Sequence, residues 1–265
     1  MGKSEDPAIV QYWDSEEVPA DVAALLAGFE DAGQGLPHLV FSERRAAEFI
    51  GRCFGGRHAA AFAVCAVPAM QADYFRYCAL YALGGVYVDA DFRCLAPLGG
   101  LLDGPATGTL FGRPELPPRW RTPELEGRER VGPYRVVMNS FFAFPAPGHP
   151  LLELAIEVAT ANVEARVAED VALATGPAVF TSLYLLRELG SFDAFLAYAE
   201  GGALEPSSRL LRETVGEHGR VVEAFAGVEI RPELESRRWV GAAEAPLAYK
   251  QSDDHWLNVT ASIYR

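Results

Sequence analysis

Two carboxylates, Asp89 and Asp91, stand one residue apart where the apolar run Gly84-Gly85-Val86-Tyr87-Val88 ends. Carboxylate oxygens at that spacing are hard ligands suited to Mg²⁺ or Mn²⁺. A cation held there can neutralise a departing diphosphate. Upstream, Asp73 and Arg76 lie three positions apart, with Tyr77 and Leu80 continuing the same helical face. Opposite charges at that spacing make at least an ion pair of a few tenths of a kcal/mol (~0.2–0.5) on a helix surface. Followed at short range by Gly-Gly and Asp-x-Asp, they also suit polar contacts to a ligand that the cation would hold.

The elements that must position these groups can be read around them. Pro68 suits the first position of a helix and Gly84 its stop, so a helix over 68–83 delivers Asp73 and Arg76 and hands the chain to a strand at 84–88. Before it come a strand at 9–13, a helix at 20–31 opened by Pro19, a strand at 38–41 and a helix at 43–54 closed by Gly55-Gly56. The apolar stretch 61–67 is too short to assign by periodicity. Strand–helix alternation predicts an α/β fold with a mainly parallel central sheet flanked by helices.

Beyond Asp91 the pattern loosens. The segment 112–133 is rich in proline, arginine and glutamate, and fits either a solvated loop or a lid over a site. A strand over 134–144 carries Asn139. Helices are expected at 150–168, at 178–189 after the Thr175-Gly176-Pro177 break, near 191–200 and near 206–217, giving a helical C-terminal half. Short strands are expected at 221–225 and 228–230. No repeat or low-complexity linker divides the chain, so one domain over 1–265 is expected, with a donor and metal half (1–100) and an acceptor-side half with the tail (101–265).

The formal charge of −13 argues against nucleic acid as a partner, because such binding relies on clustered Lys and Arg. Lysine occurs only at positions 3 and 250, so the positive charge is nearly all arginine. No window reaches the ~18 uninterrupted apolar residues of a transmembrane segment, and the N-terminus lacks the pattern of a secretory signal. A cytoplasmic location is the expectation. Cys53, Cys65, Cys78 and Cys94 include no Cys-x-x-Cys pair, and reduced, mostly buried thiols are expected.

The order Ala-x-x-Ala-Asp-x-x-Arg-Tyr-x-x-Leu-Tyr-x-x-Gly-Gly-Val-Tyr-x-Asp-x-Asp over 69–91 resembles the sugar-binding region of glycosyltransferase family 32. That family includes polysaccharide transferases and mannosyltransferases, and is related to the catalytic domain of the large clostridial glucosylating toxins. Weaker echoes are Gln11-Tyr12-Trp13, Asn139, His149-Pro150 and Thr175-Gly176-Pro177. The resemblance implies a GT-A-type fold, a nucleotide-sugar donor such as a UDP- or GDP-hexose, Mn²⁺ or Mg²⁺, and retention of anomeric configuration. Asp73 and Arg76 would contact the donor sugar and Asn139 the sugar being transferred. Tyr87 would line the donor site and Trp13 would stack on the nucleobase. Asp91 would bind the metal directly, while Asp89 would contact metal or ribose. A third ligand would come from Asp253, Asp254 or His255, with His255 the residue assigned. His255-Trp256 stands where the family often has a Ser-Trp pair that binds the diphosphate, so Trp256 joins the donor-binding set.

Other readings compete. Trp13, Tyr87, Tyr74, Phe75, Tyr77 and Tyr81 could be ordinary packing residues. A haloacid-dehalogenase-like phosphotransferase also ends a strand in Asp-x-Asp. Here, though, Phe92-Arg93 follows, and that scheme has no use for the Asp73/Arg76 helix, although Lys250 and Asp253-Asp254 superficially match its remainder. An EF-hand is excluded because Cys94 and Gly100 occupy the positions that need Gly and Glu. A catalytically degenerate nucleotide-sugar or carbohydrate-binding protein is the alternative to a transferase, and the acceptor is left open.

Overall fold

A computed structural model describes residues 7–32, 35–114, 135–200, 204–205, 210–244, 246–251 and 262–265. Residues 115–134, which make up most of the arginine- and proline-rich segment, lie outside the described residues, as do Asp253, Asp254, His255 and Trp256.

The centre is a six-stranded sheet of order β2-β1-β3-β6-β5-β7. Its strands are β1 (Ala8–Tyr12), β2 (His38–Phe41), β3 (Gly85–Val88), β5 (Gly108–Arg113), β6 (Val136–Phe144) and β7 (Val228–Pro232). The pairings β1–β2, β1–β3 and β5–β7 are parallel, and only β6 runs against its two neighbours. This is the expected α/β arrangement with parallel pairing in the majority. A second ribbon pairs β4 (Phe92–Cys94) with β8 (Val240–Ala242) just past the Asp-x-Asp.

Alternation along the strands sends residues to two cores. Val10, Tyr87, Phe142 and Phe144 face the core built by helices α2 (Glu43–Phe54), α4 (Pro68–Leu83), α5 (Pro150–Ala165), the short α6 (Val171–Ala174) and α7 (Pro177–Leu189). Ile9, Val86, Val88, Phe141 and Ala143 face the other side, where Phe29 of α1 (Ala20–Ala32), Leu98 and Val240 cover them. A strand buried on both faces reads as a continuous apolar run, and β3 is buried at all its positions.

Helix α4 starts as the sequence suggests. Val67 has extended backbone, Pro68 occupies the first turn, and the N–H of Gly84 closes the helix on the Leu80 carbonyl. Both motif glycines are required by geometry. Gly84 and Gly85 have φ of +68° and +108°, and a Cβ at Gly85 would stand 1.9 Å from the Ala8 carbonyl oxygen. β1 therefore passes over the turn at a distance that only glycine permits.

Two assignments needed revision. The undecided stretch 61–67 opens as the last turn of a helix, Gly56–Val64 (α3), and passes at Cys65 into an isolated antiparallel bridge to Tyr264. The strand expected at 221–225 is instead the end of a helix, His218–Ala224. There Val221 and Ala224 are buried while Val222 is 47% exposed, a three-residue spacing in place of alternation. Packing of that face against α5 and α7 overrides the strand preference of the paired valines. Strand β5 escaped prediction altogether. No helix among the described residues is long and apolar enough to cross a membrane.

Candidate active site

The parallel strands β1 and β3 end on the same edge of the sheet, which sets Trp13 and the Asp89–Asp91 turn side by side. β6 reaches that edge from the opposite direction. Its Ser140 carbonyl accepts the Asp89 N–H at 2.9 Å. The β5–β6 register shifts between Thr109 and Phe111, and this bulge occupies the part of β6 that carries Asn139 and Ser140. Asn139 thereby turns towards α4.

On α4, Asp73, Arg76 and Tyr77 project from one buried face, as their spacing predicts. Arg76 is the hub. One terminal nitrogen of its guanidinium lies 2.9 Å from Asp73 Oδ1 and 3.0 Å from Asp89 Oδ1. The other donates to the Asn139 carbonyl at 2.6 Å, and Nε donates to Ala72 at 3.1 Å. The flat ion lies over the Tyr87 ring, 4.5 Å from its centroid, an attraction of about 2 kcal/mol when desolvated. Burial works against the charge of Arg76, but the carboxylates of Asp89 and Asp73 hold its pKa above the ordinary value.

The Asn139 amide completes the ring, donating to Asp73 Oδ1 at 2.9 Å and to the Tyr77 hydroxyl at 3.1 Å. Tyr77 in turn donates to the carbonyls of Thr175 and Gly176, at 3.0 and 3.1 Å. This contact fixes the Thr175-Gly176-Pro177 break that opens α7. Gly176 has no room for a side chain, since a Cβ would stand 2.9 Å from Asp73 Oδ2 and 2.6 Å from Ala172 Cα. The carboxylate of Asp73 thus lies against the residue that caps α7, where the positive end of a helix dipole favours an anion. Burial raises the Tyr77 pKa and keeps the hydroxyl protonated.

Asp89 is the exposed end of this network. Burial and the neighbouring carboxylates of Asp91 and Asp73 push its pKa up to about 7 against the pull of Arg76. Its side chain keeps 30% of its surface, so a cation can reach it. Gln11 Nε2 supports the Asp89 carbonyl at 3.3 Å while its oxygen contacts His38 Nε2 at 2.7 Å. Asp91, 23% exposed at the side chain, is met by the Lys250 ammonium and by the Tyr249 hydroxyl at 3.3 Å.

The donor set at Asp89 and Asp91 fits a divalent cation that keeps waters and takes phosphate oxygens from a substrate, because two carboxylates are enough for Mg²⁺ in that mode. Among the described residues no cluster of three or more His, Cys, Asp or Glu side chains could hold a metal by protein ligands alone. The expected third ligand, whether Asp253, Asp254 or His255, and the donor contact of Trp256 fall outside the described residues.

The structure therefore brings Asp73, Arg76, Asn139, Asp89 and Asp91 together at one sheet edge. What Asp73 and Arg76 show to a ligand is narrow, with 10% and 4% of their side-chain surface accessible. Tyr87, expected to line the donor site, is fully buried and stacked on Phe142, with ring centroids 5.8 Å apart, and it supports Arg76 from below. Trp13 sits at the site's rim, its ring met edge-on by Tyr249 at 5.0 Å; its indole N–H is buried with no hydrogen-bond partner among the described residues. His149 is a helix cap: its Nδ1 accepts the Leu151 N–H at 3.2 Å, and burial lowers its pKa to about 4.

Sequence reasoning underrated Tyr77, whose four-residue spacing from Asp73 was visible. It gave no role to Tyr249, and weighed Lys250 only in the phosphotransferase reading. That lysine's rarity was the available signal. Cys65 and Cys78 are buried free thiols, whereas Cys53 is exposed.

Residues 51–107 match the family model described as "Glycosyltransferase sugar-binding region containing DXD motif". That span holds Asp73, Arg76, the Gly-Gly turn and both carboxylates. A comparison with curated protein sequences finds no match. Among solved structures, one titled "PaToxG Glycosyltransferase" is similar at 14% identity over 89% of each chain, with a TM-score of 0.49. At that identity and score the likeness adds nothing to the motif match. Through residues 51–107 and the Asp-x-Asp they carry, this chain is similar to the sugar-binding region of glycosyltransferases that contains that motif.

Proposed function

We propose that the chain is a metal-assisted, retaining glycosyltransferase that moves a hexose from a nucleotide-sugar donor to an acceptor. The observation that carries this reading is the continuous network Tyr77–Asn139–Asp73–Arg76–Asp89. It ties a buried helix face to the Asp-x-Asp through contacts of 2.9–3.1 Å. A metal-storage or purely structural carboxylate pair has no need of a buried arginine fixed on both sides.

In this reading Asp91 and Asp89 hold a divalent cation, which supplies charge neutralisation for the departing diphosphate. Arg76 keeps Asp89 in place and, with Asp73 and Asn139, presents a preorganised polar wall to the donor sugar. Preorganised dipoles stabilise developing charge without reorganising during the reaction. Asn139 is oriented by its bonds to Asp73 and Tyr77, so its amide cannot rotate freely. Trp13, at the end of β1, is the residue that stacks on the nucleobase in this reading. The acceptor attacks from the face the diphosphate leaves, and that phosphate takes its proton, so no second general-base carboxylate is required of the chain.

The test is nucleoside diphosphate release from UDP- and GDP-hexoses, with Mn²⁺, Mg²⁺ or chelator, for wild type and Asp91→Asn. The variant should keep its fold, judged by circular dichroism, and lose ~100-fold or more of turnover, in line with removal of a principal electrostatic contact. Near-normal turnover by Asp91→Asn would overturn the assignment. NMR of the product's anomeric proton tests retention.

A further inference from the structure

The contact of Lys250 with Asp91 has no place in the scheme above. Lys250 belongs to a short 3-10 turn, Ala248–Gln251, that arrives from the far end of the chain and lies across the sheet edge. The turn is anchored, since the Ala248 N–H donates to Asp21 Oδ2 at 3.0 Å and Leu247 is buried. From it, the Lys250 ammonium and the Tyr249 hydroxyl both land on the same atom, Asp91 Oδ2. The Tyr249 ring meets Trp13 edge-on and packs with it against Val22, Leu26 and Ala90. One turn thus touches the carboxylate proposed to bind the cation and the indole proposed to take the nucleobase.

We propose that Lys250 is a built-in counter-ion that competes with the divalent cation for Asp91. Cation binding at Asp91 then releases the 247–251 turn from the site and frees the Trp13 ring from Tyr249. This inference rests on Asp91 being a cation ligand. An ammonium on a carboxylate oxygen and a metal on the same oxygen exclude one another by charge and by space. Because the turn reaches both residues, cation affinity and nucleoside affinity are coupled: whichever ligand displaces the turn lowers the cost of binding for the other. Lys250 is suited to this role because its side chain is 43% exposed, so the ammonium can swing into solvent or onto an incoming phosphate.

The experiment is direct Mn²⁺ titration by electron paramagnetic resonance, without donor, on wild type, Lys250→Met, Lys250→Arg and each in an Asp91→Asn background. Lys250→Met should bind Mn²⁺ about 10-fold more tightly than wild type, Lys250→Arg should not, and the difference should vanish with Asp91→Asn. If Lys250→Met binds no more tightly while Asp91→Asn still abolishes binding, the metal site stands and the competition is overturned. If Asp91→Asn changes nothing in any background, the metal assignment itself fails and this inference with it. Tyr249→Phe gives a second arm: Mn²⁺ should strengthen uridine or guanosine diphosphate binding less in this variant than in wild type, and equal strengthening would refute the coupling to Trp13.

Discussion

Asp89→Asn should make the protein more stable at pH 8 while depriving it of a metal ligand. Asp89 is held at about 7 in the fold, chiefly by burial and then by Asp91 and Asp73. In an unfolded chain an aspartate titrates near ~3.9. For an acid whose folded pKa is raised, the penalty is absent below the unfolded value. It grows as pH climbs between the two and is complete above the folded one. Three pH units of separation cap this penalty at about 4 kcal/mol, and the 30% exposure of the side chain reduces it to about 1–3 kcal/mol. Asparagine keeps the shape and an oxygen that can still accept from Arg76, without the charge. Urea unfolding at pH 5 and pH 8 measures the effect. At pH 5 about a third of the penalty is already present, so the variant should exceed wild type there by no more than about 1 kcal/mol and by about 1–3 kcal/mol at pH 8, with a rise in Tm of several degrees at the higher pH. A variant that loses stability on going to pH 8 would show that the Arg76 ion pair outweighs burial and the like charges, and the reasoning would fall.

Two further perturbations probe the frame of the site. Arg76→Met removes the guanidinium that bridges Asp73 and Asp89, which should cost about 3–5 kcal/mol in urea unfolding at pH 8; a loss below about 1 kcal/mol would contradict the hub. Gly85→Ala places a methyl 1.9 Å from the Ala8 carbonyl oxygen at φ +108° and should yield little soluble protein, whereas Gly99→Ala, with nothing within 4 Å, should express normally; equal yields would refute the packing argument.

Local signals made the first hundred residues legible. Pro68 and Gly84 bracket α4 to the residue, and the strands at β1, β2 and β3 show as short apolar runs between turn formers. The candidate site was readable because its three carboxylates, arginine and glycines lie within one helix, one strand and the turn that follows it. What could not be read was long-range. Asn139 faces α4 only because β6 bulges, and nothing in its neighbours forecasts the shift. Burial of Tyr87 depends on Phe142 and Arg76 arriving from elsewhere. The helix at His218–Ala224 misled because valine pairs favour strands until a helical face finds α5 and α7 to pack on.

The close passage of β1 over Gly85 has a consequence for how this region can be moved between proteins. In sequence, residues 51–107 form an uninterrupted cassette; in space they do not close on themselves. Gly85 is shaped to the backbone of Ala8, Arg76 and Asp73 are completed by Asn139, and Tyr77 is completed by Thr175 and Gly176. An excised cassette would expose the aromatic faces of α4 and cost its arginine the Asn139 carbonyl. Recombination between relatives would therefore have to carry β1, the β6 bulge and the start of α7 along with it.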